Sequence, residues 1–169
     1  MNNKILLSAK RFQVELVSRV GPDGRVHQRE VVRHPGAVTI LPMVDDQHVC
    51  LIKNYRLAVE QTLIELPAGT LEPGEDPLAT ARRELAEETG YQAARWEHLA
   101  SFFLSPGILD ERMHVYMATG LTPGTPAREP NEEIENLVVP WREALAMVAD
   151  GRIEDAKTIV SLLRLETKS

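Results

Sequence analysis

Residues 69–91 read G-T-L-E-P-G-E-D-P-L-A-T-A-R-R-E-L-A-E-E-T-G-Y, and the stretch carries the carboxylates Glu72, Glu75, Asp76, Glu84, Glu87 and Glu88. Its second half predicts a helix. Asp76 is a natural N-cap, and Pro77 stands at the first helical position, where a missing N–H costs nothing. Helix formers fill Leu78 to Glu88, and Gly90 is placed to end the helix in a left-handed cap. At about 100° per residue, Leu78, Ala81 and Leu85 form one apolar stripe. Glu84, Glu87 and Glu88 share the neighbouring face at i, i+3 and i+4, where like charges repel. Taken alone, such a row describes a solvated helix face. A hard divalent cation would turn the repulsion into coordination, because Mg²⁺ takes oxygen ligands. Arg83, among so many carboxylates, can clamp one of them; it is assigned with Glu75 to bracing the loop–helix junction, which leaves the other helix glutamates to a metal.

Upstream, residues 1–35 read as a β-rich segment. Phe12, Val14 and Leu16 alternate with polar neighbours, Pro22-Asp23-Gly24 is a turn, and Arg25 to Val32 can return as a second strand. This hairpin has a weak apolar face and needs something to pack on, either the main domain or a second subunit. Pro35-Gly36 sets a boundary, with residues 36–169 as the main domain. There, Ala37–Val44 and His48–Asn54 predict strands, with Pro42 marking an irregularity or an edge. Thr62–Leu66 predicts a third. Downstream, Trp96–Leu104 and Met113–Ala118 flank the loop Ser105-Pro106-Gly107. A polar loop at 123–131 leads to Glu132, Glu133 and Glu135, and Leu137–Val139 is a last short strand. Helices follow over Pro140–Ala149 and Ile153–Leu165. Strands, one helix, more strands and two helices describe an α+β (mixed α/β) fold.

At 169 residues with a net charge of −6, one domain with a good core is expected, and its acidity gives it no attraction for nucleic acid or anionic membrane. The single cysteine, Cys50, excludes an internal disulfide, lies in an apolar run as a core filler, and suits a cytoplasmic setting. Met1–Lys10 is too short an apolar stretch for a secretion signal, and no run approaches membrane-spanning length. The five histidines show no zinc spacing. Trp96 and Trp141 read as core anchors, and Phe12 is the one tempting stacking aromatic.

Gly69, Glu75, Arg83, Glu84, Leu85, Glu87, Glu88, Gly90 and Tyr91 match G-x5-E-x7-R-E-U-x-E-E-x-G-U, where U is a bulky apolar residue. This resembles the Nudix box at every defined position, with the aromatic Tyr91 its loosest match. The resemblance implies a loop–helix–loop metal site in an α/β/α sandwich with a mixed sheet. It also implies hydrolysis of a nucleoside diphosphate linked to another moiety. Several shorter matches resemble the ADP-ribose pyrophosphatases: Leu66-Pro67-Ala68-Gly69, Leu71-Glu72-Pro73-Gly74-Glu75, Asn54-Tyr55-Arg56, Pro106 sixteen residues beyond Gly90, and the acidic residues near Glu132.

The resemblance carries specific roles. Glu84 and Glu88 would hold two or three Mg²⁺ ions, with Mn²⁺ the alternative metal, Glu87 assisting and the Ala68 carbonyl as a further ligand. Arg56 would grip a phosphate. Glu133 ranks first as general base, ahead of Glu132 and Glu135, and Glu111 is a further ligand or orienting group. The expected reaction splits ADP-ribose into AMP and ribose 5-phosphate. GDP-mannose or another nucleotide sugar is the alternative substrate. A binding module that has lost catalysis, or a merely cation-stabilised scaffold, are the readings outside hydrolysis. The hairpin suggests a homodimer, in which by resemblance it would cross to the partner.

Overall fold

A computed structural model describes residues 3–128 and 133–168. It begins with a separate antiparallel sheet of β1 (Lys4–Ser8), β2 (Gln13–Val20) and β3 (Val26–Arg33) in the order β1-β2-β3. The β2–β3 turn closes where expected, with the Gly21 N–H donating to Arg25 O at 2.8 Å and Asp23 Oδ1 accepting from the Arg25 N–H at 3.1 Å. β1 was not foreseen. All five of its residues are exposed, so it shows no buried periodicity to read.

The main body is built on β4 (Ala37–Pro42), every residue of which is buried. β4 pairs antiparallel with β7 (Ala68–Thr70) and parallel with β9 (Arg112–Thr122), and β8 (Gln92–Phe103) completes a mixed sheet in the order β7-β4-β9-β8. A second, antiparallel sheet has the order β10-β5-β6, from β10 (Ile134–Pro140), β5 (His48–Arg56) and β6 (Gln61–Glu65). β4 faces two cores because alternate side chains point to opposite sides. Val38 and Ile40 pack with Ala81 and Leu85 of α1 (Pro77–Thr89) and with Ala118. Leu41 packs on the other side with Val49, Leu51, Leu66, Leu99 and Val115. Ala144 and Met147 of α2 (Trp141–Ala149), Ile153, and Leu162 of α3 (Ala156–Glu166) close that core. The result is the expected α+β architecture, with α1 on one side of a mixed sheet and α2 and α3 on the other.

Pro42 lies in a strand flanked on both sides, but at a local edge of it. The Ile40 N–H donates to Pro67 O at 2.9 Å, so two residues on Pro42 turns its nitrogen to the same side, past the end of β7, where no donor is needed. β8 and β9 outrun their apolar stretches because they pair with each other from Gln92↔Thr122 onward. α3 starts at Ala156 rather than Ile153. The Asp155 side chain caps the Thr158 N–H at 3.0 Å, and the Ile153 N–H is taken by Met147 O at 2.9 Å. Cys50 is fully buried, and burial pushes its thiol up to about 11. Trp96 and Trp141 both pack on the cores. Among the described residues, no helix is long and apolar enough to cross a membrane.

Candidate active site

α1 has the predicted caps. Asp76 Oδ2 accepts from the N–H groups of Leu78 and Ala79 at 3.1 Å each, and Gly90 ends the helix at φ 80°. Because Ala81 and Leu85 are fully buried against β4, the helix cannot roll, and the glutamate face is fixed toward the strand β7. Glu88 is nearly buried and its Oε2 accepts the Ala68 N–H at 2.9 Å. Glu84 lies so tightly on Gly69 that a Cβ there would stand 1.9 Å from the glutamate Cδ and Oε1. Helix and strand thus bring Glu84, Glu88 and the backbone of Ala68 together.

Arg83 meets Glu75 as expected, with Nε and Nη2 each 3.4 Å from a carboxylate oxygen. Its shorter bonds go elsewhere: Nη1 donates to Glu84 Oε1 at 2.8 Å and to Glu87 Oε2 at 3.0 Å. The expectation that the arginine leaves the helix glutamates clear is therefore corrected. Several mutually repelling carboxylates gather around the cation on the same turn, whose planar fork has donors enough for all of them. The hydrogen bond from Arg83 is the main reason the Glu75 carboxyl is held below its ordinary value. Among the described residues, no three His, Cys, Asp or Glu side chains form a ready-made metal cage. The donor set is nonetheless all oxygen, and Gly69 supplies the close approach that keeps the Glu84 carboxylate against the backbone. Both fit a hard divalent cation.

Arg56 ends β5 and forms a fork with Glu65, Nε to Oε1 at 2.8 Å and Nη2 to Oε2 at 2.5 Å. Glu65 is buried, and its Oε2 also accepts from Lys157 Nζ at 2.7 Å. Burial alone would raise the Glu65 carboxyl, but Arg56 and Lys157 outweigh it and hold the group below its ordinary value. Sequence reading missed this pair of partners. A carboxylate inside the apolar run T-L-I-E-L was the available signal, but Lys157 lies 92 residues away.

The C-terminal end of α1 is closed by a segment whose role was also missed. The Ala127 N–H donates to Glu87 O at 2.9 Å, Arg128 Nε to Glu88 O at 2.9 Å, and Asn136 Nδ2 to Thr89 O at 2.8 Å. Glu132 lies outside the described residues. The Glu133 carbonyl accepts the Tyr55 N–H at 3.4 Å, which sets Glu133 opposite the neighbour of Arg56. Glu135 is exposed and pairs with Lys53 at 3.3 Å.

Pro106 and Glu111 sit at a different junction. The loop around them is tied to β3 by the Val32 N–H to Ile108 O at 2.8 Å, and Arg33 Nη1 donates to Asp110 Oδ2 at 2.9 Å. Pro106 lines a shallow depression with Val31, Arg33, Phe103 and Ile108. Glu111 Oε1 is 3.7 Å from His34 Nδ1. The contacts shown at this junction run to β3 and to His34.

A family model described as "NUDIX domain" matches residues 33–162. The chain belongs to the Nudix family. Two relatives are equally similar in identity. The methanol dehydrogenase activator of Bacillus methanolicus is 40% identical over 147 residues, 86% of this chain and 80% of the relative. The ADP-ribose pyrophosphatase of Bacillus subtilis (strain 168) is 40% identical over 149 residues, 87% of this chain and 80% of the relative. A crystal structure described as an ADP compounds hydrolase shares the fold, with a TM-score of 0.86 at 24% identity over 99% of this chain and 91% of that one. Nudix hydrolases generally use divalent metal ions, which agrees with the oxygen-rich face of α1.

Proposed function

We propose that this Nudix protein hydrolyses the pyrophosphate of ADP-ribose, adding water across the P–O–P link to give AMP and ribose 5-phosphate. The observation that carries the reading is the intact set of Glu84, Glu87 and Glu88 on a helix locked to Ala68 and braced through Arg83 and Glu75. A degenerate binding module has no chemical need for that set. The ADP-ribose pyrophosphatase relative supports the choice of substrate.

Glu84, Glu88 and the Ala68 carbonyl are the proposed holders of Mg²⁺, or Mn²⁺ in its place, with Glu87 assisting. When bound, the metal supplies charge neutralisation for the diphosphate and a water of lowered pKa. The chain's own residues supply the rest. Arg56 binds a phosphate. Glu133 takes the proton of the attacking water, with Glu132 its neighbour in that role. Pro106 and Glu111 shape the substrate side. The test is a panel of ADP-ribose, GDP-mannose and other nucleotide sugars with Mg²⁺ or Mn²⁺, followed by phosphate release after phosphatase treatment. ADP-ribose is expected to show the highest kcat/KM; preference for GDP-mannose overturns the substrate, and no turnover at all overturns the enzyme.

Arg56→Ala is expected to raise KM more than it lowers kcat. A hydrogen bond to a charged group is worth about 1.5–3 kcal/mol, or roughly tenfold to a hundredfold in affinity. An unchanged KM counts against the phosphate role.

The free, buried Cys50 agrees with a cytoplasmic setting. A homodimer through the N-terminal sheet is part of the proposal, supported by Ile5, Leu6, Leu7, Phe12, Val20 and Val26, which are all exposed there. Light scattering is expected to give twice the chain mass, and a monomer at assay concentration removes the dimer.

A further inference from the structure

We infer that Lys157, on the C-terminal helix, is a positioning residue for substrate: it fixes the Glu65 carboxylate and through it the plane of the Arg56 guanidinium. The inference rests on the reading of Arg56 as the phosphate-binding arm.

Four charges of alternating sign run in a line. Asp155 Oδ1 accepts from Lys157 Nζ at 2.9 Å, Lys157 Nζ also donates to Glu65 Oε2 at 2.7 Å, and Glu65 takes the Arg56 fork. The inner members are buried, with Glu65 1% and Lys157 8% exposed, whereas the Arg56 side chain at the outer end is 40% exposed. The fork uses Nε and Nη2 of the guanidinium, so the donors on Nη1 are the ones left for a phosphate oxygen.

The far end of the line is anchored by backbone. Asp155 caps α3 through the Thr158 N–H at 3.0 Å, Thr158 Oγ1 bonds Asp155 Oδ2 at 2.5 Å, and the same hydroxyl accepts the Leu66 N–H at 2.8 Å. Lys157 therefore reaches Glu65 from a helix turn stitched to the end of β6. Stability alone does not explain a lysine here. Buried ion pairs can often be replaced by apolar side chains of like volume at no loss, so orientation of Arg56 is the role proposed for this one. What it orients also needs restraint. Arg56 feels the field of Glu88 as well as that of Glu65. Glu65, held from behind, keeps the guanidinium off the metal-binding carboxylates and leaves it facing substrate.

The test compares Lys157→Met, Lys157→Arg, Arg56→Lys and the Met/Lys double variant, with ADP-ribose as substrate. Lys157→Met is expected to raise KM about tenfold, the scale on which partners orienting a functional group act, with kcat within about threefold. Lys157→Arg restores most of the loss. The double variant has the KM of Arg56→Lys, because both act through one guanidinium. If Lys157→Met does not yield folded protein, Lys157→Gln, which keeps N–H donors without the charge, is held to the same expectation. A KM within about twofold of wild type in Lys157→Met, alongside a raised KM in Arg56→Ala, overturns the relay. So does a loss shared equally by the Met and Arg variants, which marks a merely structural lysine. If Arg56→Ala itself leaves KM unchanged, the phosphate reading of Arg56 fails first and takes the relay with it.

Discussion

Glu88→Gln is expected to lower turnover by more than about a hundredfold while the protein stays folded. The scale follows from the position. Groups that merely orient a metal ligand are worth about 10–100-fold, and the proposed ligand itself should exceed them. The fold is expected to survive because the hydrogen bond that Glu88 accepts from the Ala68 N–H at 2.9 Å can also be accepted by an amide oxygen. What glutamine lacks is the charge. Glu84→Gln should behave alike, although its carboxylate also takes Arg83 Nη1 at 2.8 Å. Stopped assays across a range of Mg²⁺ concentrations, with circular dichroism on the same samples, make the measurement. Turnover near wild type in Glu88→Gln, at any metal concentration, would remove the carboxylate from the mechanism.

The parts of this site that were legible from sequence are those whose causes are local. The Asp76 cap, Pro77, the apolar stripe and the αL Gly90 lie within one stretch, and each acts on neighbours a few residues away. The same holds for the glutamate face, because helical spacing converts sequence offset into direction. What was hidden depends on distant pairing. The parallel match of Ala37 with Met113 joins segments that carry no mark of each other. The Glu65–Lys157 bond needs α3 to be docked against β6 before either residue has a partner. The sharing of Arg83 was misjudged for a different reason. Bracing was assigned to one carboxylate, but a guanidinium with five donors serves as many as stand around it, and the spacing of Glu84 and Glu87 from Arg83 already put both within reach. β1 escaped because an exposed strand has no core to impose a period on it.

Gly69→Ala is expected to abolish most activity and Gly74→Ala to leave it close to wild type, at stability costs of the same order. The two glycines stand five residues apart and differ in what they are for. At Gly74 the backbone has φ 80° and nothing lies within 4 Å of an added methyl, so alanine there meets only the strain of a left-handed conformation. That strain is about 1–2 kcal/mol, or roughly 2–8 °C in Tm for a chain of this size, and kcat should be close to wild type. At Gly69 the obstacle is the Glu84 side chain itself, its Cδ and Oε1 1.9 Å and its Cγ 2.4 Å from the new Cβ. A flexible glutamate can swing away, so the fold loses little more than the approximately 1–3 kcal/mol of an overpacked site. In swinging away, however, the Glu84 carboxylate leaves the backbone against which the metal would be held. Tm and kcat measured on both variants separate the effects. If Gly69→Ala retains wild-type turnover, then Glu84 does not need its seat on β7, and the metal platform must be assigned to other oxygens of the helix.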